Sequence, residues 1–475
     1  MTALKIFTAA VIFIIVAALD IKGKYPPLGR FGGALELALL PHCFLISAAA
    51  AVYIGRSTAG IVGLSVICGI FFIYRLIKMS VKPYCKRVQT GVRVRALYGG
   101  KILMEYSLFS AVFQGVFYIV CAKNGFFGMP QWLILTDIIS AALIFFGFCL
   151  NGLIRILVCC RRLNIVKRIV VFLLLFVPVG NLAAMLYMHK IAGEEYDFEE
   201  TRAACDRQRV ESQVCATKYP ILLLHGIGFR DRRYFNYWGR VPRELIRNGA
   251  KIYYGMQDGC VTVEYGAEQV KKKLEEILAE TGCEKVNIIA HSKGGLDARY
   301  LISTLGMAEH VASLTTVATP HHGSQVADEA MKLSDGLYRK VAGIMDKSFR
   351  KLGDAEPDFY TACHQFTSEY AEQFNKDNPD SDKVYYQSCT SVMSSPFSFG
   401  ILAFTYMLMR KYGENDGLVT VESSKWGNFM GVYRPTGVRG ISHGDTIDLA
   451  REDYKGYDPR EEYIKIAAGL KEMGF

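Results

Sequence analysis

The segment at 286–295 carries a serine in a setting typical of a nucleophile. Four strand-forming residues lead into Ala290-His291-Ser292-Lys293-Gly294, and a helix-compatible stretch follows at 296–302. A serine at the tip of a sharp strand-to-helix turn is strained, and it needs small residues two places before and after it so that strand and helix can approach. The pattern predicts a nucleophile elbow centred on Ser292. A small-residue turn in an ordinary α/β domain is the alternative.

A serine nucleophile needs a base to take its proton, and the base needs an acid that fixes its tautomer. In folds built around this elbow the acid follows the serine and the histidine comes last. Of the histidines beyond Ser292, only His443 lies late enough to leave room for an acid strand and turn. The candidate acids are four: Asp416, in a Glu-Asn-Asp-Gly turn before a strand-like stretch at 418–421, and its rivals Asp297, Asp328 and Asp448.

The elements that would position these residues alternate between strand and helix. Apolar or β-branched runs predict strands at 219–224, 251–254, 286–290 and 313–318, and the segments between them predict helices at 237–249, 265–280 and 296–302. Such alternation predicts a doubly wound, mostly parallel sheet. The glycines after the first strand let the backbone turn, so that the N–H of Ile227 can point into a cleft.

Five sequence blocks, in order, carry a family resemblance: His225-Gly226, Tyr237-Trp238-Gly239-Arg240, Ala290-His291-Ser292-Lys293-Gly294-Gly295, Ala318-Thr319-Pro320-His321-His322-Gly323-Ser324 and Asn415-Asp416-Gly417-Leu418-Val419. Together they resemble the bacterial triacylglycerol lipase family of the α/β-hydrolase fold. The resemblance covers the chain from about residue 219 to its end. It does not extend to the first 200 residues.

The resemblance implies roles for particular residues. It implies Asp416 as the acid and His443 as the base, with the backbone N–H groups of Ile227 and Lys293 forming the oxyanion hole. The Lys293 side chain is expected to be solvated at the surface. Members of the family often hold a structural calcium through an aspartate two residues after the catalytic histidine, which here is Asp445. No organic cofactor is implied.

The N-terminal part of the chain has the composition of a membrane region. Its first 200 residues contain 20 Lys and Arg against 9 Asp and Glu, so the net charge of +10 originates there. This charge lies beside apolar runs and does not indicate nucleic-acid binding. The runs predict about six transmembrane helices, at 4–19, 34–54, 59–74, 102–122, 132–157 and 169–188. The first is short enough to be a signal-peptide core instead.

The loops between these runs predict an orientation. Basic residues concentrate in alternate loops, at 22–30, 75–101 and 155–168. The positive-inside rule places those loops in the cytoplasm. Six spans then put both termini, and the serine domain with them, on the extracytoplasmic side of the cell membrane.

The predicted domains are a transmembrane region at 1–190, a juxtamembrane linker or helix at 191–217, and a hydrolase domain at 218–475. That domain is expected to carry a cap insertion around 325–410, with amphipathic helices at 330–352 and 358–375. The apolar stretch at 397–409 is too short to span a bilayer, so it is expected to line an acyl cleft or to pack in the core.

The six cysteines beyond residue 200 permit disulfides, of which Cys205–Cys215 is the plainest local pair, and free buried thiols are the alternative.

The sequence therefore predicts a membrane-anchored serine hydrolase that cleaves carboxylic esters of lipids through an acyl-enzyme. A lipid acyltransferase or a thioesterase would use the same three residues. A non-catalytic transport or sensory protein with a hydrolase-like binding domain is a further alternative, although a binding domain does not require all three residues. Oligomeric state, acyl length and head group cannot be derived from the sequence.

Overall fold

The computed structural model describes residues 33–35, 37–42, 70, 73–83, 91–123, 131–228, 236–332, 334–434, 439–453 and 456–475. The chain divides into two compact units, Met1–Cys205 and Asp206–Phe475.

The first unit is helical throughout its described part. Its long helices are α1 (Val92–Lys123), α2 (Gln131–Cys159), α3 (Ile165–Leu174) and α4 (Gly180–Ser212). The segments Val92–Val120 and Ile134–Cys159 are long and apolar enough to cross a membrane, judged by length and composition. These two helices pack closely where glycines meet: a Cβ built on Gly100 would lie 2.9 Å from the carbonyl oxygen of Gly152, and the reverse distance is also 2.9 Å. Small residues at such contacts allow two backbones to approach.

Two of the six predicted spans coincide with long helices of the structure. The runs at 4–19, 34–54 and 59–74 lie wholly or largely outside the described residues, whereas 102–122 lies within α1 and 132–157 within α2. The run at 169–188 is not one helix, because α3 ends at Leu174 and α4 begins at Gly180. Pro178 lies in the break and Val179 has a φ of 66°, and proline cannot continue a helical hydrogen-bond ladder. The predicted juxtamembrane segment is helical as far as Ser212, within α4.

A cluster of polar side chains is buried between the helices of this unit. The ring of His42 lies 2.9 Å from Asp137 through Nδ1 and 2.6 Å from Gln114 through Nε2. The Tyr118 hydroxyl donates to the other carboxylate oxygen of Asp137 at 3.0 Å. Because buried polar groups are costly unless paired, these contacts explain how an aspartate and a histidine are accommodated in an apolar bundle.

The second unit is built on a six-stranded sheet in which every pairing is parallel. Its strands are β1 (Ile221–Leu224), β2 (Ile252–Tyr254), β3 (Val286–His291), β4 (Val311–Val317), β5 (Tyr385–Ser391) and β6 (Asn428–Tyr433), in the spatial order β2-β1-β3-β4-β5-β6. The chain starts in β1, moves outward to β2, then crosses back to β3 and proceeds to the far edge. This confirms the predicted parallel, doubly wound sheet.

The helices of the second unit are, in chain order, α5 (Val241–Arg247), α6 (Val263–Thr281), α7 (Lys293–Ser303), α8 (Gln325–Ala330), α9 (Asp335–Leu352), α10 (Phe359–His364), α11 (Ser368–Asp377), α12 (Ala403–Met409), α13 (Val421–Ser424) and α14 (Pro459–Glu472). Helices α5 and α14 contribute to the core that contains Ile221 and Leu223 on one face of the sheet. Helices α6 and α7 contribute to the core that contains Leu222 and Leu224 on the other face. Both faces of β1 are covered, which is why its sequence is a continuous apolar run.

Strands β5 and β6 were not predicted, and one predicted strand-like stretch does not form a strand. Strand β5 lies inside the predicted cap insertion at 325–410, so the insertion is two separate segments, before and after Tyr385–Ser391. The pattern of β5 and β6 is mixed polar and apolar, which hid both strands. The strand-like stretch at 418–421 is wrong as a strand: only an isolated antiparallel bridge, between Asn415 and Thr420, forms there, and α13 begins at Val421.

The apolar stretch at 397–409 is exposed rather than buried. Phe397 is 92% exposed, Ile401 83% and Phe404 77%, whereas Tyr406 and Met409 are buried. The expectation that this stretch lines a cleft or packs in the core is therefore wrong for Phe397, Ile401 and Phe404. The reason is geometric, since a seven-residue helix such as α12 buries only the side that it turns toward the domain.

All six cysteines beyond residue 200 are free thiols in the structure: Cys205, Cys215, Cys260, Cys283, Cys363 and Cys389. Three of them, Cys215, Cys260 and Cys389, are buried.

Candidate active site

Ser292 occupies the sharp turn between β3 and α7. Its backbone has φ 53° and ψ −127°, outside the regions that residues other than glycine favour. Two contacts with the neighbouring strand hold this conformation: the Ser292 N–H donates to Val317 O at 3.0 Å, and the Thr319 hydroxyl donates to Ser292 O at 2.8 Å. Strained residues held this way concentrate at functional sites.

The turn depends on close backbone approach at two glycines. A Cβ on Gly294 would lie 2.6 Å from His225 O, which no side chain can tolerate. A Cβ on Gly226 would lie 2.8 Å from the Cβ of Ser292. The loop after β1 therefore lies directly against the serine, and glycine is required on both sides of the contact.

Asp416 and His443 form a direct hydrogen-bonded pair. His443 Nδ1 donates to Asp416 Oδ2 at 2.7 Å, and the His443 N–H donates to Asp416 O at 2.9 Å. The other carboxylate oxygen accepts the backbone N–H groups of Leu418 and Val419 at 3.0 and 2.8 Å. Asp416 is fully buried, so its orientation is fixed by the turn that follows it, and only Oδ2 faces the histidine.

The three rival acids have other partners. Asp297 pairs with Lys293, with an Nζ to Oδ1 distance of 2.6 Å. Asp448 binds the Arg240 guanidinium at 2.7 Å. Asp328 accepts the first backbone N–H of α11 at 2.8 Å. Of the four candidates, Asp416 is the one that the structure brings to His443.

His291, the residue before the serine, links the elbow to the histidine loop. The Tyr237 hydroxyl donates to His291 Nδ1 at 2.6 Å, so Nε2 carries the proton and donates to Thr446 Oγ1 and His443 O at 3.0 and 3.2 Å. Burial holds the pKa of His291 well below its ordinary value, and the nearby His443 lowers it further. The ring is thus neutral, and its centroid lies 4.5 Å from that of His443.

Through His291, the elbow that carries Ser292 contacts the loop that carries His443. Among the described residues Ser292 Oγ makes no hydrogen bond, and the serine is 9% exposed at the surface of the elbow. Catalytic hydrogen bonds are often long in structures without substrate and shorten only in the reacting complex.

The predicted oxyanion donors lie on either side of the serine. Ile227 follows the glycine that touches Ser292, and Lys293 is the first residue of α7. Within the described residues, neither N–H donates to a backbone acceptor. Unpaired N–H groups at a helix start and in an adjacent loop can both donate to a negatively charged oxygen.

The Lys293 side chain is buried, so its expected exposure at the surface is wrong. Its side chain is 3% exposed, and its ammonium group forms an ion pair with Asp297 one turn further along α7. A Cβ on Gly266 of α6 would lie 2.9 Å from Lys293 Nζ and 3.0 Å from Asp297 Oδ2, so the pair lies tightly against that helix. A buried lysine needs such a partner, because an unpaired buried charge is far more costly.

Sequence reasoning did not assign roles to Thr319, Tyr237, His291 and Thr446. All but Thr446 lie within sequence blocks that carried the resemblance. The contacts above show their part: they fix the serine backbone and the loop of His443. For three of them, their place in the ordered blocks was the one sequence signal of a role. The contacts that define the role depend on the fold and could not be derived from the sequence.

Asp445, the predicted calcium ligand, already has protein partners. Its Oδ2 accepts the Ser442 N–H at 2.9 Å, and the Arg439 guanidinium lies 3.4 Å from Oδ1. Calcium requires six to eight oxygen ligands, and a carboxylate that faces a guanidinium does not fit such a site in this arrangement. The calcium expectation stays a prediction.

A strained serine between β3 and α7 of a parallel sheet, close to a buried His–Asp pair, defines an α/β-hydrolase. Comparisons with known proteins agree with this class. The palmitoyl protein thioesterase family profile matches residues 220–390. Triacylglycerol lipase 2 of Saccharomyces cerevisiae is 29% identical over 52% of this chain and 78% of its own length.

Two bacterial relatives match over almost their entire length. The triacylglycerol lipase of Pseudomonas fragi is 28% identical over 54% of this chain and 98% of its own. That of Pseudarthrobacter phenanthrenivorans is 30% identical over 50% of this chain and 95% of its own. Through its C-terminal half, the chain belongs to the triacylglycerol lipase family. It is an ester hydrolase of the lipase and esterase class, and the non-catalytic alternative is wrong.

We predict that Asp416→Asn lowers kcat about 10⁴-fold, as expected when the histidine is held in the wrong tautomer. The amide oxygen would keep accepting from Leu418 and Val419, which leaves the NH₂ group facing His443 Nδ1. Steady-state kinetics and a thermal melt measure both effects. Asp328→Asn is the matched control and should change kcat by less than about threefold. Equal losses in the two variants would contradict the assignment of the acid.

We also predict a pH-dependent contribution of Asp297 to stability. Burial raises its pKa from 3.8 to about 6, although Lys293 opposes the shift. The folded state then holds a proton that the unfolded state releases, so the contribution of Asp297 becomes less favourable as pH rises from about 4 to about 6. The stability of wild type relative to Asp297→Asn should fall across this window, by roughly 1.4 kcal/mol for each pKa unit.

Urea unfolding of the fragment 201–475 at several pH values measures this difference. Asp377→Asn, at the exposed end of α11, serves as the control because no buried cation faces it. Parallel curves for wild type and Asp297→Asn between pH 4 and pH 7 would contradict the prediction.

Proposed function

We propose that this protein is a membrane-anchored serine hydrolase that cleaves carboxylic ester bonds of lipids through an acyl-enzyme. The observation that carries the proposal is the buried Asp416–His443 pair, with its 2.7 Å hydrogen bond, beside the strained serine at the elbow. The names of the relatives support a lipid ester as the substrate.

In the proposed first half-reaction, Ser292 Oγ attacks the ester carbonyl carbon and His443 Nε2 takes the serine proton. Asp416 holds the Nδ1 proton and stabilises the imidazolium that forms. The negative charge on the carbonyl oxygen is met by the N–H groups of Ile227 and Lys293. Collapse of the tetrahedral intermediate breaks the bond to the alcohol, which leaves with the proton of His443.

In the second half-reaction, water attacks the acyl-enzyme while His443 takes its proton. The acyl–Oγ bond breaks, Ser292 recovers a proton from His443, and the carboxylic acid leaves. Every proton transfer uses one histidine nitrogen, whose opposite side is anchored by Asp416. No organic cofactor takes part in this proposal.

A thioesterase is the second candidate, and the match of residues 220–390 to palmitoyl protein thioesterases favours it. The same three residues would act in the same roles: Ser292 would attack a thioester carbonyl, and a thiol would be the leaving group. An acyltransferase differs only in the second half-reaction, where a lipid alcohol replaces water.

We propose that the region at 1–190 anchors the enzyme in the cell membrane with about six spans. The extracytoplasmic placement of the hydrolase unit stays a prediction from the loop charges, and it requires the run at 169–188 to cross the membrane. That run breaks between Leu174 and Gly180, and Arg93 binds Glu199 of α4 at 2.6 Å, so α4 returns to the end of the bundle that holds Arg93.

One contact brings the ends of α1 and α2 together: Arg93, at the start of α1, donates to Cys159 O, at the end of α2, at 2.6 Å. The basic ends of both apolar helices, with Arg93 and Arg95 on one and Arg161 and Arg162 after the other, thus lie at the same face. The positive-inside rule makes that face cytoplasmic.

The hydrolase assay uses the fragment 201–475, its Ser292→Ala variant and chromogenic acyl esters of short and long chain. We expect Ser292→Ala to remove activity by about 10⁴-fold or more, because no other group can form the acyl-enzyme. The chain-length ratio separates esterase from lipase. A thioester with the same acyl chain tests for thioesterase activity. The same assays with a calcium chelator test the calcium expectation. Equal rates for the two proteins would refute the serine mechanism.

The orientation is tested by labelling. A single cysteine in the basic segment at 75–101 should resist a membrane-impermeant thiol reagent in intact cells and react after permeabilisation. A cysteine placed near residue 475 should react from outside if the run at 169–188 crosses the membrane, and only after permeabilisation if α4 returns to the face of the basic segments. Labelling of the basic segment in intact cells would overturn the proposed orientation.

A further inference from the structure

The loop 440–453, which carries His443, contains four acidic residues shortly after the histidine. They are Asp445, Asp448, Glu452 and Asp453. Asp445, Asp448 and Asp453 are buried. Buried carboxylates are costly unless cations lie against them. The conformation of this loop therefore depends on a source of positive charge.

The guanidinium of Arg439 supplies part of that charge. Its Nη1 donates to Glu452 Oε2 at 3.1 Å, and its Nη2 lies 3.4 Å from Asp445 Oδ1. Its Nε donates to the backbone oxygen of Ser398 at 3.0 Å. Because a guanidinium is planar and carries its donors in a fixed fork, one side chain can reach two carboxylates and a carbonyl at once.

The contact with Asp445 bears on His443 because both residues belong to one turn. Asp445 Oδ2 accepts the Ser442 N–H at 2.9 Å, and the Asp445 N–H donates to Ser442 O at 3.0 Å. His443 lies between Ser442 and Asp445 in the sequence, and its own N–H donates to Asp416 O at 2.9 Å. Arg439 thus binds the carboxylate that closes the turn around the histidine.

The contact with Ser398 fixes the start of the loop. The Ser398 hydroxyl accepts the Gly440 N–H at 3.1 Å, and the carbonyl of the same residue accepts Arg439 Nε. A Cβ on Gly440 would overlap the backbone nitrogen of Ser394, so the two backbones are in direct contact. The segment before α12 therefore holds Arg439 in place, and its guanidinium is a fixed point to which the loop binds.

Arg240 balances the charge at the far end of the loop. Its Nε lies 2.7 Å from Asp448 Oδ2, and its Nη1 lies 2.7 Å from Asp453 Oδ1. Its Nη2 donates to Glu452 O at 3.0 Å. Each of the four carboxylates thus lies against an arginine. A divalent cation at these carboxylates would lie beside guanidinium groups, and like charges repel.

We propose that Arg439 is a positioning residue for His443. Its guanidinium holds two carboxylates and a carbonyl together, which is the task of a structural divalent cation, and it keeps the loop 440–453 in place without calcium. The inference rests on the proposed function, because the alignment of His443 affects the rate only if His443 is the base. It adds a residue outside the three reacting ones and predicts the opposite of the calcium expectation.

The experiment compares the full chain with its variants Arg439→Gln, Arg439→Lys and Arg339→Gln on a soluble short-chain ester, with rates expressed per folded protein. We expect Arg439→Gln to lower kcat by roughly 10–100-fold, because a displacement of about 1 Å at a reacting group can cost about 10²-fold. KM should stay within about threefold, because the alignment of His443 contributes to the transition state rather than to substrate binding.

Two further variants sharpen the comparison. Arg439→Lys keeps the charge but loses the fork, so it should recover only part of the lost kcat. Arg339→Gln is the matched control on α9, because Arg339 also pairs with a carboxylate, that of Asp335 at 2.7 Å. It should keep the wild-type kcat.

Hydrogen exchange gives a second measurement that needs no turnover. We expect the backbone amides of the loop 440–453 to exchange about tenfold faster in Arg439→Gln, because charge-assisted hydrogen bonds are lost. Exchange in Arg339→Gln should match the wild type. A calcium chelator should change neither the exchange of this loop nor kcat in the wild type.

Three results would overturn the proposal. They are a wild-type kcat in Arg439→Gln, a loss of rate that only matches a loss of folded protein, and a wild type that a chelator impairs and added calcium restores.

The two measurements separate this inference from the proposed function. If the wild type hydrolyses no ester but exchange of the loop depends on Arg439, the proposed chemistry fails and the hold of Arg439 on the loop stands. If esters are hydrolysed and Arg439→Gln matches the wild type in rate and exchange, the inference fails alone.

Discussion

The candidate site depends on one strained backbone position, Ser292. A residue other than glycine at φ 53° and ψ −127° is unfavourable by about 1–3 kcal/mol. The strain is tolerated because strands on both sides of β3 contact the turn: Val317 accepts the serine N–H, and the backbone oxygen of His225 leaves room only for a glycine two residues after the serine. Relaxing the turn would therefore separate the helix from the sheet, and the core of the domain opposes that.

The same arrangement couples the serine to its partners through buried polar contacts. His291 is fixed by Tyr237 on one side and by Thr446 and the carbonyl of His443 on the other. Asp416 is fixed by backbone amides of its own turn. Each partner is thus oriented by groups that do not react, which is how an enzyme keeps a proton-transfer path aligned without spending substrate binding energy on it. The buried Lys293–Asp297 pair adds a further constraint within the first turns of α7.

Much of this arrangement was predictable because its signals are local. The strand before Ser292, the small residues around it and the alternation of strands and helices all follow from short-range sterics and periodicity. The acid could not be chosen among four aspartates by spacing alone, because its partner lies on a different loop and the choice depends on the fold. Lys293 was misjudged for the same reason: its burial depends on α6, whose Gly266 leaves space for it.

The last two strands of the sheet, β5 and β6, were missed because their sequences lack the apolar continuity of β1 and β3. The exposed segment at 397–409 shows the converse error. Its composition is typical of a buried element. Composition alone does not show whether another helix or strand packs against the segment. In the N-terminal unit, the lengths of the apolar runs predicted α1 and α2, whereas the break at Pro178 shows that a long apolar run need not be one helix.

The free thiols of the hydrolase unit have a consequence for its chemistry with oxidants. Burial raises the pKa of Cys215 to about 11 and those of Cys260, Cys363 and Cys389 to about 12. At neutral pH these groups are almost entirely protonated, and the thiolate is the form that oxidants and disulfides attack. These four thiols are therefore poor targets for oxidation and for disulfide exchange, so that reagents that modify cysteines should leave the interior of the hydrolase unit unmodified while it stays folded.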